Sequence, residues 1–201
     1  MQPFRNHLGK VVPIDKTDID TDIIIPTEFL KRIERTGYDK HLMYYWRYDD
    51  QGRIKKDFPL NQPQYQGTTI LLTGDNFGCG SSRENAVWAL YDYGFRVILA
   101  PSFADIFKNN CTKNGLLPIE LPQQDIQQLF HFTTLDILKL TIDLENQVIT
   151  NHEDLNFSFD IDPHTKYKFI NGLDDIDITL TAESSINRFE QERPFYMDPY
   201  N

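Results

Sequence analysis

The fold is decided by the stretch Thr68–Ser102, which reads TTILLTGDNFGCGSSRENAVWALYDYGFRVILAPS. Its apolar beginning, Thr68–Thr73, predicts a buried β-strand, because a short apolar run bounded by turn residues is typical of a strand covered on both faces. The loop Gly74–Gly80 follows and contains three glycines. Ser81 or Ser82 is then expected to start a helix.

A second copy of this pattern follows along the chain. Gly94 suits the left-handed end of the first helix, and Phe95–Ala100 predicts a second apolar strand. Ser102–Asn110 predicts a second helix opened by its serine, and Leu116–Leu121 predicts a third strand. Strands and helices that alternate at this spacing favour right-handed βαβ units with parallel strands.

The N-terminal part carries weaker signals. Lys10–Ile14 predicts a short strand, and Glu28–Arg35 predicts a helix ended by Gly37. The segment His41–Gln66 is aromatic and polar without a clean period, so we expect irregular, exposed structure there.

The last third of the chain differs from the middle. Alternating apolar and polar residues predict antiparallel strands at Leu138–Leu144, Gln147–Asn151 and Leu155–Ile161. Pro163–Ile170 and Glu183–Glu192 predict helices. The length of 201 residues predicts a single domain over 1–201, with an extended C-terminal arm at about 193–201.

Composition excludes several classes of protein. The formal charge of −10 disfavours nucleic-acid binding, because such a surface repels phosphates. No apolar run is long enough for a signal peptide or a membrane span, which predicts a cytoplasmic protein without a membrane segment. The chain has two cysteines, Cys79 and Cys111, too few for a complete iron–sulfur site and unsuitably spaced for zinc. No metal site is expected on this chain.

The glycine-rich loop and the residues after it suggest a small-anion site. They join a predicted strand to a predicted helix, where unpaired backbone N–H groups bind ligands in α/β proteins. Arg83 offers two parallel donors to a carboxylate. Ser81 and Glu84 also fit a capping box, in which the serine has a purely structural role, and the two interpretations are compatible.

Other ligand-binding motifs fail at individual positions. A P-loop requires a lysine after its last glycine, and Gly80 is followed by two serines. The third glycine of a dinucleotide fingerprint would fall at Arg83. The acidic run Asp18–Asp22 begins like a calcium loop but has Ile23 where that loop needs glycine, so a solvated acidic loop is the simpler interpretation.

Four segments, in order along the chain, resemble the aconitase superfamily's mobile C-terminal domain. They are Asp20–Pro26 (DTDIIIP), Asn76–Glu84 (NFGCGSSRE), Ser102–Pro118 (SFADIFKNNCTKNGLLP) and Leu173–Leu180 (LDDIDITL). Cys79 takes the place of an acidic residue, and this resembles the isopropylmalate isomerase branch.

This resemblance implies a fold and a reaction. The fold is an α/β swivelling domain with three layers, β/β/α, a mixed sheet and a partly barrel-like core. The reaction is the dehydration of 2-isopropylmalate and rehydration to 3-isopropylmalate in leucine biosynthesis. The resemblance also implies a heterodimer with a large catalytic subunit that carries a [4Fe–4S] cluster on three cysteines, and no cofactor bound by this chain.

The resemblance further implies roles for individual residues. Ser81 matches the family's base, which removes a proton from the carbon beside a carboxylate. Ser82 and Arg83 match residues that bind the substrate carboxylate. The backbone around Gly78 and Gly80 would stabilise the deprotonated serine, in the manner of an oxyanion hole.

A specificity loop is implied over residues 27–36. Phe29 and Leu30 would offer apolar contact to the isopropyl group, and Lys31 or Arg32 would face a carboxylate or lie on a helix surface.

Two further expectations concern the acidic segment and the substrate. Asp20, Thr21 and Asp22 are expected to shape the site without performing a catalytic step. The alternatives are a related hydro-lyase small subunit, acting on homoaconitate or a methylmalate-type substrate, and a non-catalytic anion-binding regulatory subunit.

Overall fold

The described residues, 1–31, 35–151 and 153–192 of a computed structural model, form one mixed sheet of seven strands. The strands are β1 (Asn6–Ile14), β2 (Ile70–Thr73), β3 (Val97–Ala100), β4 (Leu117–Glu120), β5 (Lys139–Asp143), β6 (Val148–Thr150) and β7 (Asn156–Ser158). Their spatial order is β4-β3-β2-β1-β5-β6-β7.

Helices connect and cover these strands. They are α1 (Thr21–Ile24), α2 (Tyr44–Arg47), α3 (Glu84–Tyr93), α4 (Asp105–Lys113), α5 (Gln123–Leu135), α6 (Pro163–Asn171), α7 (Asp175–Leu180) and α8 (Glu183–Glu192). Short 3-10 turns lie at Thr27–Lys31, Asp39–His41, Pro59–Asn61 and Pro63–Tyr65. None of the helices within the described ranges is long and apolar enough to cross a membrane.

The first half of the sheet is parallel, as the alternating pattern predicted. One row of paired residues runs across it: Val11 is opposite Ile70, Ile70 opposite Val97, and Val97 opposite Leu117. All residues of β2 and β3 are buried. Burial on both faces explains why these strands are continuously apolar rather than alternating.

The two faces of the sheet belong to two separate apolar clusters. Leu71 and Ile98 point into a cluster that includes residues of α3, α4 and the segment His41–Gln66. Their neighbours Ile70 and Val97 belong to a second cluster, with residues of α5, α6 and the antiparallel strands. The parallel strands are thus packed between helices on both sides.

The second half of the sheet is antiparallel. β5 pairs with both β1 and β6, and β6 pairs with β7, as the alternating pattern predicted. The seven strands together curl into a half-barrel. The expected α/β class with a mixed, partly barrel-like sheet is therefore confirmed.

Both central helices start later than predicted. The helix expected from Ser81 or Ser82 begins at Glu84, and its end at Gly94, with φ of 119°, is confirmed. The helix expected from Ser102 begins at Asp105. In both cases the preceding residues form hydrogen bonds with neighbouring loops instead of extending the helix.

Other differences concern the segment after α1, the C-terminal arm and two helices. The helix predicted at Glu28–Arg35 is a 3-10 turn over Thr27–Lys31 in its described part. Arg32 and the arm expected at 193–201 lie outside the described residues. The helices α5 and α7 were not predicted, although Asp174 and Asp177 form a capping box that the sequence shows. Single-domain organisation stays a prediction.

Candidate functional site at the carboxyl ends of the parallel strands

Three loops meet where β1, β2 and β3 end. The loop after β2, residues Gly74–Arg83, lies between the other two and is called the serine loop below. Its first flank pairs with the loop after β1: Gly78 donates its N–H to the carbonyl of Ile19 (2.8 Å), and Thr21 donates to the carbonyl of Cys79 (3.0 Å). Carboxyl ends of parallel strands lie at one edge of a sheet, and ligands bind there in α/β proteins.

The other flank pairs with the loop after β3. Phe77 donates its backbone N–H to the carbonyl of Ser102 (3.2 Å), and Ala104 donates to the carbonyl of Phe77 (3.1 Å). The Ser102 hydroxyl donates to the carboxylate of Asp75 and accepts from the backbone N–H of Asn76 (3.0 Å). Backbone hydrogen bonds therefore fix the serine loop from both sides.

Glycine is required at two points of this loop. Gly78 and Gly80 have φ of 77° and 84°, in the left-handed region that residues with a Cβ rarely adopt. A Cβ on Gly78 would also lie 2.1 Å from the ring of Phe107, which is buried under the loop. The loop can approach α4 this closely only without a side chain at that position.

The buried Thr21 holds the loop next to its serines. Its hydroxyl donates to the carbonyl of Ser81 at 2.7 Å, while its N–H bonds the carbonyl of Cys79. Thr21 is 1% exposed, so these hydrogen bonds are shielded from water. The two bonds flank Gly80 and fix the direction of the chain at Ser81.

Ser81 and Ser82 themselves are exposed and face a cavity of about 250 Å³. In the part of the chain that the structure describes, neither hydroxyl takes part in a hydrogen bond. The cavity is lined by Thr21, Gly78, Gly80, Ser81, Ser82, Arg83, Ala104, Asp105, Ile106 and Phe107. The structure thus brings the predicted residues Gly78, Gly80 and Ser81–Arg83 to one cavity.

The capping-box interpretation of Ser81 is wrong. Arg83 is the residue before α3, and no side chain caps this helix. Over the described residues, the backbone N–H groups of residues 80–83 make no hydrogen bond. They therefore remain available, close to the positive end of α3, for a negatively charged group.

Arg83 is held rather than solvated. Its Nη1 donates to the carboxylate of Asp22 and to the hydroxyl of Thr27 (3.0 Å), and its side chain is 17% exposed. The hydrogen bond from Thr27 (2.7 Å), and then that from Arg83, lower the pKa of Asp22. These two hydrogen bonds orient the guanidinium, and among the described residues its other three N–H groups make no hydrogen bond.

The acidic segment is ordered rather than a solvated loop. Asp20 caps α1 by accepting from the N–H of Ile23 (2.7 Å), and Asp18 accepts from the side-chain amide of Asn76 (2.7 Å). Both aspartates lie near Cys79, which is half-buried. Burial, followed by the charges of Asp20 and Asp18, raises the pKa of this thiol.

The residues expected in the specificity loop pack against the protein in their described part, and their role stays a prediction. Phe29 stacks on His41, with ring centroids 4.0 Å apart and an interplanar angle of 13°. Phe29 and Leu30 are partly buried and pack against the apolar cluster beneath α3. Lys31 ends the 3-10 turn, and Arg32 lies outside the described residues.

Sequence reasoning missed several residues of the site. Asp75 belongs to the serine loop, and Thr27 and Phe107 contact it or its arginine. All three lie in segments that the sequence marked, but none was assigned a role. Ser102 was assigned to a helix start. Its position directly after a parallel strand was the available signal, since that is where neighbouring loops converge.

The residues of this chain do not fit an iron–sulfur cluster. Such clusters are held by several cysteine thiolates. Cys111 is fully buried inside α4, and the pKa values of both thiols are raised. Across residues 1–31, 35–151 and 153–192, no group of three or more His, Cys, Asp or Glu side chains is arranged to hold a metal ion.

Comparison with known proteins agrees with this geometry. The family model of the aconitase C-terminal domain matches residues 1–124, and a model described as LeuD_N matches residues 128–163. The 3-isopropylmalate dehydratase small subunit of Bacillus subtilis (strain 168) is 51% identical over 197 residues, covering 98% of this chain and 99% of that protein. The chain belongs to the 3-isopropylmalate dehydratase small-subunit family.

Two further members of the family support the assignment. The small subunit of Geobacillus sp. (strain WCH70) is 53% identical over 192 residues, covering 96% of this chain and 98% of that protein. The solved structure of a 3-isopropylmalate dehydratase from Methanocaldococcus jannaschii superposes with a TM-score of 0.65 at 25% identity, covering 91% of this chain and 98% of the solved chain. Membership of a small-subunit family implies a large partner subunit. The resemblance drawn from the four sequence segments is confirmed.

Proposed function

We propose that this chain is the small subunit of a hydro-lyase that interconverts 2-isopropylmalate and 3-isopropylmalate by dehydration and rehydration, in leucine biosynthesis. The observation that carries the proposal is the serine loop. It presents two serine hydroxyls and an oriented arginine to one cavity, and among the described residues these hydroxyls and the backbone N–H groups of residues 80–83 have no hydrogen-bond partner. The relatives' shared name supports the isopropylmalate reaction over homoaconitate, methylmalate-type substrates or a regulatory role.

In this proposal Ser81 is the base. Dehydration of a hydroxy diacid requires removal of a proton from the carbon beside a carboxylate and departure of a hydroxyl group. A serine hydroxyl is a weak base in water, so its deprotonated oxygen needs local stabilisation. The unpaired N–H groups of residues 80–83 and the positive end of α3 supply it. Thr21 keeps the chain direction at Ser81 fixed.

Ser82 and Arg83 bind the carboxylate of the substrate. Ser82 is exposed on the same cavity, and the guanidinium of Arg83 keeps unused donors in a planar fork that matches a carboxylate. Gly78 and Gly80 contribute by letting the backbone come close. Asp22, together with Asp20 and Thr21, shapes the site by orienting Arg83 and the serine loop, without a catalytic step of its own.

The iron–sulfur cluster of the reaction is assigned to the large subunit. Two cysteines, of which one is fully buried, support this assignment, because they cannot form a cluster site on this chain. Both cysteines are free thiols, which fits a reducing cytoplasmic location. The chain is then inactive alone, and association with the large subunit completes the active site.

Reconstitution tests the proposal directly. The chain is co-expressed with a cluster-bearing large subunit from the same family, and turnover of 2-isopropylmalate, homoaconitate and a 2-methylmalate is measured with the complex and with each subunit alone. We expect turnover by the complex only, with the highest kcat/KM for isopropylmalate. Preference for another diacid, or full activity of the large subunit without this chain, would refute the proposal.

A further inference from the structure

A second cavity of about 360 Å³ adjoins the candidate site. Its lining includes Asp20, Asp22, Ile23, Pro26, Thr27, Glu28, Tyr45 and Trp46. Asp22 and Thr27 are the partners of Arg83, which lines the serine-loop cavity. One hydrogen-bonded cluster of Asp22, Thr27 and Arg83 therefore contributes residues to both cavities.

The polar groups that line this second cavity interact with other groups of the protein, and the rest of its lining is apolar. Asp20 is engaged as the cap of α1, and Asp22 accepts from Thr27 and Arg83. The carboxylate of Glu28 interacts with the hydroxyl of Tyr45 and raises the pKa of that hydroxyl. The apolar part of the lining consists of Ile23, Pro26 and the rings of Tyr45 and Trp46.

Charge decides which part of a diacid enters this cavity. Asp20, Asp22 and Glu28 place negative charge around its rim, so a carboxylate is repelled. The serine-loop cavity offers Arg83 and unpaired N–H groups, which attract a carboxylate. A branched hydroxy diacid is therefore oriented with its carboxylates toward the serine loop and its alkyl group toward Trp46.

The residues earlier expected to provide this contact are engaged elsewhere. Phe29 is stacked on His41 and packs into the apolar cluster. Tyr45, by contrast, is 54% exposed. Trp46 lies across from Phe58, with ring centroids 5.8 Å apart, which fixes the position of its indole.

We propose that Tyr45 and Trp46, from the segment His41–Gln66, form the wall of the alkyl-binding subsite and set the size of side chain that the enzyme accepts. This inference rests on the proposed function. It assigns substrate selection to the segment His41–Gln66, called the aromatic segment below. Both rings line the cavity, so removal of either one enlarges it. One methylene in an apolar pocket changes kcat/KM by about 10–200-fold, so a ring removed from the wall alters selectivity measurably.

The test uses the complex with the large subunit and three substrates, 2-methylmalate, 2-isopropylmalate and 2-isobutylmalate. For Trp46→Ala we expect the ratio of kcat/KM for isobutylmalate over isopropylmalate to rise at least about tenfold, because the enlarged cavity admits the longer alkyl group. Tyr45→Leu changes the same ratio to a lesser degree. Tyr45→Phe keeps the ring and leaves the ratio close to that of the wild type.

Tyr48→Leu is the matched control, since Tyr48 belongs to the same aromatic cluster but does not line the cavity. It is expected to keep the wild-type ratio. If Trp46→Ala does not fold, Trp46→Phe and the exposed Tyr45→Leu provide the same readout.

Two results would overturn the inference. The first is an active complex whose substrate ratio stays within about twofold of wild type in the Trp46 and Tyr45 variants. The second is weakened binding to the large subunit in a pull-down, with the selectivity of the remaining complex unchanged, which would make this surface a subunit contact. A wild-type complex inactive on all three substrates would instead refute the proposed function, so the two failures are distinguishable.

Discussion

The serine loop and the aromatic segment His41–Gln66 are both irregular, yet they are held in place by different means. The serine loop is fixed by backbone hydrogen bonds to both neighbouring loops. The backbone hydrogen bonds of the aromatic segment run mostly within it, and side chains, with Arg47 as the centre, join its turns to one another. Backbone hydrogen bonds depend little on residue identity, whereas side-chain contacts change with each substitution.

Arg47 illustrates the second kind of support. Its Nη1 donates to the carbonyls of Asp39 (3.0 Å) and Leu42 (3.4 Å), and its Nε donates to the side-chain oxygen of Asn61 (3.2 Å). The guanidinium also lies over the ring of Tyr93, 5.2 Å from its centroid. Under the proposed function, the chemistry lies in the serine loop and substrate selection in the aromatic segment.

The largest expected effect comes from the hydroxyl of Ser81. Ser81→Ala should lower kcat of the reconstituted complex by about 10²–10⁴-fold, with little change in KM, because it removes the base but no carboxylate contact. Steady-state kinetics on 2-isopropylmalate measure this. Ser158→Ala, on the exposed face of β7, is the control and should leave kcat unchanged. A kcat close to that of the wild type in the Ser81 variant would contradict the assignment of Ser81 as the base.

The second effect concerns the close approach of the serine loop to α4. Gly78→Ala places a Cβ on a left-handed backbone and against the ring of Phe107. It should lower the free energy of unfolding by about 2–4 kcal/mol. Gly52→Ala, in the aromatic segment, has a similar φ of 73° and open space around the added methyl group. It should cost about 1 kcal/mol, the backbone contribution alone. Urea denaturation of both variants gives the difference, and equal losses would contradict the packing argument.

The third effect measures the side-chain support of the aromatic segment. Arg47→Lys should reduce the free energy of unfolding by about 1.5–3 kcal/mol, because a lysine cannot reproduce the forked hydrogen bonds. Arg53→Lys is the control, since that ion pair with Asp49 is exposed and should change stability by less than about 1 kcal/mol. Chemical denaturation followed by tryptophan fluorescence provides the measurement. Equal losses of the free energy of unfolding in the two variants would contradict the role given to Arg47.

The smallest effect is electrostatic and concerns Cys79. Because burial and two aspartates raise the pKa of its thiol, its alkylation by iodoacetamide should reach half-maximal rate at a higher pH than that of a free cysteine. Raising the pH increases the thiolate fraction, so the rate rises with pH throughout. Asp20→Asn keeps the helix cap but removes one charge, and should move the profile to lower pH. An unchanged profile would exclude the charge of Asp20 as a cause.

The comparison of the two regions also shows what could be predicted. The parallel strands and the serine loop were visible because burial on both faces makes strands continuously apolar, and left-handed turns need glycine. The start of α3 was misplaced because Ser81 and Glu84 imitate a capping box. Thr21, distant in sequence, donates a hydrogen bond to the carbonyl of Ser81, and this residue lies outside the helix. The aromatic segment gave no periodic signal, since its residues, all described, form only the four-residue helix α2 and short turns.

The sequence by itself determined the order of the seven strands, the helices α3, α4, α6 and α8, the mixed sheet and the group of residues proposed to carry the chemistry, because hydrophobic period and glycine placement are local properties. Only the tertiary structure decided that Asp22 and Thr27 orient Arg83, and that Tyr45 and Trp46 close a cavity beside it. Those relations join residues up to 61 positions apart, and they depend on three strand ends meeting at one edge of the sheet.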